Sequence, residues 1–206
     1  MYRCHPQIEE LKGVIGRGAI GEVRLIHASF SYNMGPQYEN IRMMNAFAGG
    51  SIMDVGSYGI SIARFVAGEE PDKVAAVAQI GGRSRVDEVA GMTLRFPSGV
   101  VASITCGMQV AVEQTVTVYG SEGSVHLTSP WFGQSGQARI LLTKGGEILE
   151  LEYANPEQPI YALEAEHVRS NIEHREAPAM TLLDSLGNMR ALDAARASIG
   201  LRFECE

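Results

Sequence analysis

The sequence lacks the features that mark several classes of protein. No apolar run reaches the roughly 18 residues that a membrane-spanning helix requires, and the first residues contain no apolar segment of the kind found in signal peptides. Lysine and arginine number 17 against 24 acidic residues, form no cluster longer than isolated pairs, and leave a net charge of −7. We therefore expect no nucleic-acid partner and no membrane partner.

Cysteine is also scarce. Cys4, Cys106 and Cys205 are odd in number and far apart, which argues against a disulfide framework and against a zinc cluster. This usage fits a reducing compartment, and we expect the protein to be cytoplasmic. The histidines form no close pair at the spacing of metal ligands, so we expect no metal site.

The most informative stretch is Gly49–Gly59, in which two glycines precede a helix-like run that carries Asp54 and Tyr58. Residues i and i+4 of a helix share one face, so the spacing predicts that the carboxylate and the phenol point into the same space. Gly56 and Gly59 cost roughly 1 kcal/mol each relative to alanine, which indicates close approach by a ligand or by another element. The stretch suggests proton transfer to a small polar molecule.

The same residues also have structural interpretations, and the residue pattern leaves both open. Ser51 and Asp54 have the spacing of a helix capping box, in which the acid lies near the positive end of the helix dipole. Tyr58 alone fits a buried aromatic residue with one hydrogen bond. Arg3 and Arg42 alone fit surface charges.

Residues 16–21 match the G-x-G-x-x-G fingerprint of dinucleotide-binding proteins. That fingerprint works between a strand and a helix, where the helix N-terminus faces the pyrophosphate. Here the periodicity predicts a helix over Pro6–Ile15 and a strand over Glu22–Tyr32, which is the reverse order. We interpret these glycines as a helix stop and a turn.

The remaining pattern indicates an α+β fold in a single domain, residues 1–206. A helix ends at Gly68, and two more helices are predicted over Ile160–Arg175 and Ser185–Ile199, with apolar residues facing inward (Ala162, Leu163, Val168, Ile172, Leu186, Met189, Leu192 and Ala195). Between them, short strands with tight turns predict an antiparallel sheet with one covered face and one more polar face that suits a partner subunit. The predicted strands are Val74–Ile80, Glu88–Phe96, Val100–Met108, Val110–Tyr119, Ser124–Leu127, Arg139–Thr143 and Glu147–Tyr153.

Six motifs, in this order and spacing, resemble the C-terminal domain of the Gfo/Idh/MocA oxidoreductases, closest to the branch of glucose-fructose oxidoreductase and dihydrodiol dehydrogenase. They are Met1–Gln7, Gly18–Val23, Gly49–Tyr58, Gly68–Pro71, Phe96–Gly99 and Gly120–Gly123. The resemblance covers essentially the whole chain. It implies a dihydrodipicolinate-reductase-like domain, in which helices pack on one face of a large open, mainly antiparallel sheet and which supplies the substrate site and usually the oligomer interface.

In this family an N-terminal Rossmann domain binds NAD or NADP and ends in a Glu-Lys-Pro motif with a catalytic lysine. The present sequence resembles the part after that motif and contains no Glu-Lys-Pro. The resemblance therefore implies that this chain alone is not catalytically competent and binds neither cofactor tightly. It also implies a Rossmann domain as a partner.

By the same resemblance, Asp54 is the substrate-binding acid, and Tyr58 exchanges a proton with the substrate oxygen while hydride passes to or from nicotinamide. Arg3, Arg42, Gly49 and Gly50 fall close to substrate or cofactor, and the helix glycines would admit the nicotinamide ring. We expect the substrate-binding and oligomerisation domain of an NAD(P)-dependent oxidoreductase that acts on a sugar, polyol or related carbonyl or alcohol. The alternative is a non-catalytic module that dimerises through its sheet.

Overall fold

A computed structural model describes residues 1–111, 113–133, 138–154 and 157–206. Within these residues the chain forms four α-helices: α1 (Pro6–Gly16), α2 (Ser57–Ala67), α3 (Ile160–Ser170) and α4 (Leu182–Ser198). The strands are β1 (Val23–Ser31), β2 (Lys73–Ile80), β3 (Asp87–Arg95), β4 (Val101–Gly107), β5 (Val116–Gly120), β6 (Gly123–Leu127), β7 (Ile140–Lys144) and β8 (Glu147–Leu151).

The strands form an open sheet in the order β2-β3-β4-β1-β5-β6-β7-β8. Neighbouring strands of the β2-β3-β4 and β5-β6-β7-β8 sets pair antiparallel, which confirms the predicted α+β fold with a large, mainly antiparallel sheet. The chain divides into two compact units. The first comprises Met1–Leu25 and Thr115–Leu186, and the second comprises Ile26–Gln114 and Gly187–Glu206.

In the second unit, α2 and the turn before it pack on one face of β3 and β4. A Cβ atom added to Gly59 would lie 2.4 Å from Cγ2 of Ile104, and one added to Gly56 would lie 3.0 Å from Cε of Met92. Real Cβ atoms do not fit at the first distance, so the helix reaches the sheet because these positions are glycine. Another element, the sheet, is therefore what approaches Gly56 and Gly59. The expectation that they admit a nicotinamide ring is replaced by this packing.

The two faces of this part of the sheet differ as the alternation predicted. Met92 and Leu94 are buried, whereas Thr93 and Arg95, which alternate with them along the strand, are exposed. On the exposed face Val77 is 76% accessible. A polar face that includes an exposed valine lies opposite the face that α2 covers.

In the first unit, α1 comes before residues 17–22 and β1 comes after them, so the glycine-rich segment leads from a helix into a strand. Gly18 and Gly21 have φ values of +67° and +71°, the left-handed region that favours glycine in turns. This confirms the interpretation of a helix stop and turn. Trp131 is fully buried and packs edge-to-face on Tyr2, with 5.4 Å between the ring centroids.

Two predicted boundaries differ from the structure by five residues or more. Strand β5 begins at Val116 rather than at residue 110, and residue 112 lies outside the described residues. Helix α3 ends at Ser170 rather than at Arg175, because Asn171 leaves the helical conformation. Val110 and Ile172 fit the predicted apolar spacing, but neither lies in the element predicted for it.

The predicted inward faces of α3 and α4 are only partly buried. Leu192 and Ala195 are buried as expected, but other positions of the same stripes are exposed (Ala162, Val168, Ile172, Leu186 and Met189). Periodicity predicts an apolar face but not its covering, and nothing in the described part of the chain covers these residues. Among the described residues, no helix combines the length and apolar character needed to cross a membrane.

Candidate active site

Asp54 lies at the centre of a hydrogen-bonded group in the second unit. It belongs to a π-helical turn, Ile52–Gly56, that runs directly into α2. Its carboxylate accepts a hydrogen bond from Tyr32 Oη at 2.5 Å and one from Arg42 Nε at 3.0 Å. Tyr32 follows β1, and Arg42 is in a short 3₁₀ turn. Three segments that are distant in sequence therefore hold one carboxylate in a fixed orientation.

Tyr32 acts as a permanent donor in this group. Burial raises the pKa of its phenol, and the hydrogen bond and negative charge of Asp54 raise that pKa further, against a smaller opposing effect of Arg42. The ring packs against a buried apolar cluster of Met43, Val86, Met108 and Phe203. The hydroxyl therefore stays protonated at neutral pH and points at the carboxylate.

Arg42 supplies the positive charge. Its guanidinium forms an ion pair with Asp54 while 49% of the side chain remains exposed. The pKa of Arg42 is raised, chiefly by the charge and hydrogen bond of Asp54, so the side chain remains a cation. Asn40 caps the turn, since its side-chain oxygen accepts the backbone N–H of Arg42 at 3.1 Å. Arg42 is thus a surface-accessible charge that is also part of the site.

Tyr58 lies one helical turn beyond Asp54, in the first turn of α2. Its ring packs edge-to-face on Phe30, with 5.0 Å between the centroids and 76° between the planes. Tyr58 also contributes to the raised pKa of Arg42, which places the phenol within electrostatic reach of the same guanidinium that binds Asp54. The geometry fits both interpretations of Tyr58, a packed aromatic ring and a phenol next to the site.

A cavity of about 310 Å³ opens beside Arg42 and Asp54. It is lined by Ile41, Arg42, Phe47, Ala48, Gly49, Gly50, Met53 and Asp54. The structure therefore brings four of the six predicted site residues to one place: Asp54, Arg42, Gly49 and Gly50.

The glycine pair is explained by contact with the protein's own backbone. The N–H of Gly50 donates to the carbonyl of Arg42 at 2.8 Å, and a Cβ atom on Gly49 would lie 2.3 Å from that same oxygen. Gly50 has a φ of +118°, which strongly favours glycine. Gly49 and Gly50 thus hold the Arg42 turn against the start of the helix, in addition to lining the cavity.

Asp87, the first residue of β3, anchors the start of the helix. Its Oδ2 accepts the backbone N–H of Ile52 at 2.6 Å and the hydroxyl of Ser51 at 2.8 Å. The carboxylate is fully buried, and that burial raises its pKa despite these hydrogen bonds. The predicted capping box of Ser51 and Asp54 is therefore not formed, since Ser51 bonds to Asp87 and Asp54 bonds to Tyr32 and Arg42.

Arg3 lies in the first unit and is buried, so its interpretation as a surface charge is wrong. Its Nε donates to Tyr2 Oη at 3.2 Å, and its guanidinium pairs with Asp184 at 3.4 Å. Desolvation of a guanidinium is costly, and these contacts offset part of that cost. The proximity of Arg3 to substrate or cofactor stays a prediction.

Two kinds of binding site would be recognisable in the described residues: a metal cluster and a dinucleotide fingerprint between a strand and a helix. Among them, no group of three or more His, Cys, Asp and Glu side chains could hold a metal ion. The only fingerprint match, residues 16–21, joins a helix to a strand, so no helix N-terminus follows it to meet a pyrophosphate.

Comparison with known proteins gives the family. Residues 8–126 match the family model described as the GFO/IDH/MocA C-terminal domain. The chain belongs to this family. The match covers more than half of the chain and includes Tyr32, Arg42, Asp54, Tyr58 and Asp87, and it confirms the resemblance that the motifs indicated.

Individual relatives agree with this. The chain is 31% identical over 204 residues to an uncharacterized oxidoreductase of Rhizobium meliloti, with 96% of the chain and 60% of the relative covered. It is 28% identical over 209 residues to trans-1,2-dihydrobenzene-1,2-diol dehydrogenase of Bos taurus, with 98% of the chain and 61% of the relative covered. The chain thus spans about three fifths of the length of these relatives.

Solved structures share the fold. An aldose-aldose oxidoreductase from Caulobacter crescentus, complexed with glycerol, has a TM-score of 0.85 and 25% identity, with 96% of the chain and 59% of that structure covered. A 3-ketoreductase from Actinomadura kijaniata, in complex with NADP and TDP-benzene, has a TM-score of 0.87 and 24% identity. That match covers 97% of the chain and 61% of the structure. The chain thus corresponds to the C-terminal domain of this family and spans about three fifths of each of these two structures.

Proposed function

We propose that the chain is the substrate-binding and oligomerisation domain of an NAD(P)-dependent oxidoreductase that acts on a sugar, polyol or related carbonyl or alcohol. The observation that carries this proposal is the Asp54 carboxylate, held by Tyr32 and Arg42 at the wall of a cavity. Each carboxylate oxygen accepts one hydrogen bond from the protein and retains capacity for a second, as hydroxyl groups of a substrate require.

Within this proposal Asp54 orients the substrate and Tyr58 moves the proton. A phenol has an ordinary pKa near 10, so it is protonated at neutral pH and can donate to a developing alkoxide. Arg42 pairs with Asp54 at 3.0 Å and so places a positive charge beside the carboxylate that would bind the substrate. Substrate hydroxyls would bind at Asp54, and the reacting oxygen would face Tyr58.

The nicotinamide cofactor would come from a Rossmann domain, because hydride transfer needs a cofactor and no side chain accepts hydride. Membership of the family supports this division, since the relatives are longer than the region they share with this chain. By this proposal the 206-residue chain alone binds NADP weakly and turns over no substrate. The described cysteines form no disulfide, which accords with a cytoplasmic location.

Two measurements test the catalytic part. Titration of the chain with NADP should show no tight binding, and tight binding or turnover by the chain alone would contradict the proposal. In the chain complemented by a Rossmann domain, Tyr58→Phe should lower kcat by about 100-fold or more. An unchanged rate would remove Tyr58 as the acid. Phe30→Leu, which alters only the packing beside Tyr58, is the matched control and should keep most of the activity.

The exposed sheet face supports the oligomerisation part. Val77 pairs with Gly91 and Gly91 with Thr105, so short side chains lie beside the exposed valine and give a flat surface. A second copy of the chain would bury this face. Val77→Lys should shift the mass measured in solution toward that of the monomer. The NMR signals of the Gly49 and Gly50 amides in the cavity should keep their positions, which would show that the fold is unchanged. A wild-type chain that is monomeric at high concentration would contradict this assignment.

The alternative is a non-catalytic module that dimerises through the same face and binds no substrate. The exposed valine favours it equally, since both assignments need a partner on that face. Titration with a polyol separates the two. Binding that is lost in Asp54→Asn supports the substrate domain, and dimerisation without any polyol binding supports the non-catalytic module.

A further inference from the structure

Exposed apolar side chains of the first unit are concentrated on α3 and the start of α4. Residues 161–186, which span these helices and the connection between them, hold seven of the fifteen large apolar residues that are exposed in the described part of the chain. Leu183 is 78% exposed and Leu182 is 75% exposed. Single exposed apolar residues are common on protein surfaces, but a concentration of them is typical of an interaction site.

The largest of these side chains form one surface, which we call the α3–α4 patch and which consists of Tyr161, Val168, Ile172, Leu182 and Leu183. Tyr161 and Val168 are seven residues apart on α3, so they lie on the same face of the helix. A stripe of this kind is the face that an amphipathic helix normally buries. On α3 that face remains exposed, with Tyr161 at 61% and Val168 at 56%.

Hydrogen bonds hold the segment that joins the two helices. Nε2 of His167 on α3 accepts the backbone N–H of Ala179 at 3.3 Å, and Oε1 of Glu176 accepts the N–H of Leu182 at 2.9 Å. The patch is therefore ordered before a partner arrives. A preorganised apolar surface costs little ordering entropy when a partner covers it.

Residue 1 lies beside this patch. The amino group of Met1 is 3.2 Å from Oε1 of Glu164, which is one helical turn before Val168 on the same face of α3. Arg3 pairs with Asp184, at the start of α4, at 3.4 Å. The segment from residue 1 to residue 3 therefore contacts both helices that carry the patch. Polypeptide joined ahead of residue 1 would enter next to the patch.

The longer relatives contain enough additional polypeptide to cover such a surface. About two fifths of the Rhizobium meliloti oxidoreductase and of the Bos taurus dehydrogenase lies outside the region that this chain matches. The matched region is the C-terminal domain of the family, so most of the additional polypeptide precedes it. A domain joined ahead of residue 1 would meet the patch at a high effective concentration, which favours it over a separate molecule.

We propose that the α3–α4 patch is the surface on which the cofactor-binding Rossmann domain docks. Leu182 and Leu183 are its main anchors, because they are its most exposed members and adjoin the ion pair of Asp184 with Arg3. This inference rests on the proposed function, which assigns the cofactor to such a domain, and adds the surface that receives it. The docked face of that domain is apolar, since only the hydroxyl of Tyr161 is polar among the patch side chains.

The experiment joins the N-terminal domain of the Rhizobium meliloti oxidoreductase ahead of residue 1 and measures whether the patch becomes covered. Leucine, isoleucine and valine methyl groups carry ¹³C, and a soluble gadolinium chelate broadens the NMR signals of those that solvent reaches. In the 206-residue chain alone, the methyl signals of Val168, Leu182 and Leu183 should broaden strongly. In the fusion this broadening should fall by about fivefold or more, as expected for exposed side chains that become buried in an interface.

Leu182→Lys combined with Leu183→Lys should restore the broadening of Val168 in the fusion, because two charged side chains should weaken an apolar interface by at least about tenfold. The same double variant of the 206-residue chain should keep its melting temperature, since both side chains are already exposed. Ile148→Lys combined with Leu149→Lys is the matched control. These adjacent residues of β8 are 70% and 58% exposed, and their replacement should leave Val168 shielded in the fusion.

The outcomes separate this inference from the function on which it rests. Equal broadening of the patch in the chain and in a fusion that binds NADP would overturn the inference and leave the role of Asp54 untouched. Loss of a dimer of the 206-residue chain in the Leu182→Lys, Leu183→Lys variant would also overturn it, because a second copy would then cover the patch. A fusion that binds no NADP would contradict the cofactor assignment and the inference with it. Shielding that is lost in this variant and kept in the β8 control supports docking, whether or not Asp54→Asn changes the binding of a polyol.

Discussion

The substitution Tyr32→Phe tests the organisation of the site with little disturbance to packing. It removes only the hydroxyl that donates to Asp54 Oδ2 at 2.5 Å. The ring remains, and it continues to pack on the buried cluster of Met43, Val86 and Met108. No cavity is created, so the change in the free energy of unfolding reports the hydrogen bond almost alone.

The structure allows the size of this change to be estimated. A hydrogen bond to a charged group contributes about 1.5–3 kcal/mol. Arg42 continues to bind the carboxylate, and 21% of the Asp54 side chain is exposed, so water can replace part of the lost bond. We expect Tyr32→Phe to lower the free energy of unfolding by about 1–2 kcal/mol.

Urea unfolding of the chain, followed by circular dichroism, measures this difference. Tyr161→Phe, at an exposed tyrosine of α3, is the control and should stay within about 0.5 kcal/mol of wild type. The folded-state pKa of Tyr32 is raised, so its contribution is fully present below the unfolded-state pKa, near 10, and is lost as pH rises above it. The two proteins should therefore converge in alkali. Equal stability at pH 7 would refute the account of Asp54 as a carboxylate held by Tyr32.

Substitutions at three further positions test the scaffold around the cavity. Gly50→Ala should lower the free energy of unfolding by more than about 2 kcal/mol, because φ is +118° and the new Cβ atom would lie 2.1 Å from Oδ1 of buried Asp87. Gly82→Ala is the control, since a Cβ atom there would have no neighbour within 4 Å, and it should leave stability nearly unchanged. Thermal melting measures both variants. Asp87→Asn should lower the free energy of unfolding by less than about 1 kcal/mol, since the amide oxygen still accepts the N–H of Ile52. Asp87→Ala should lower it by about 2–3 kcal/mol more, because it removes that acceptor. The raised pKa of Asp87 means that wild type loses stability as pH rises from about 4 through the folded-state pKa, and Asp87→Asn should lack this slope in urea titrations. Asn45→Ala removes three hydrogen bonds and should lower the free energy of unfolding by about 2–3 kcal/mol. It should also broaden the NMR signals of the Gly49 and Gly50 amides, and unchanged line widths would contradict this prediction.

Local sequence pattern predicts much of the fold and one part of the site. Helix α1, strand β1 and the two-sided character of β3 follow from periodicity, because burial on one face imposes it. The same reasoning identifies Asp54 and Tyr58 as neighbours on one helical segment. The resemblance to the family adds Arg42, which the structure places against Asp54.

The rest of the site depends on contacts between residues that are far apart in the sequence. Tyr32 and Asp87 each meet the Ser51–Asp54 segment only because strands β1 and β3 lie beneath it, and no local pattern marks either residue. Their positions give the best available signal, a tyrosine just after one strand and an acid at the start of another. The role of Gly56 and Gly59 could not be predicted either. The two glycines indicate that something packs closely on the backbone, but the sequence does not identify it as the sheet.

The proposed function requires a polyhydroxyl ligand to bind at the Asp54 carboxylate, between Tyr32 and Arg42. The most direct test is an NMR titration of the chain with ¹³C-labelled tyrosine rings, using trans-cyclohexane-1,2-diol. We predict that the Tyr32 and Tyr58 signals shift in a saturable manner in wild type and do not shift in Asp54→Asn. Tyr161, an exposed tyrosine that is not among the residues lining the cavity, should not respond in either protein. Signals of Tyr32 and Tyr58 that stay unchanged at high ligand concentration, or that shift equally in Asp54→Asn, would contradict it.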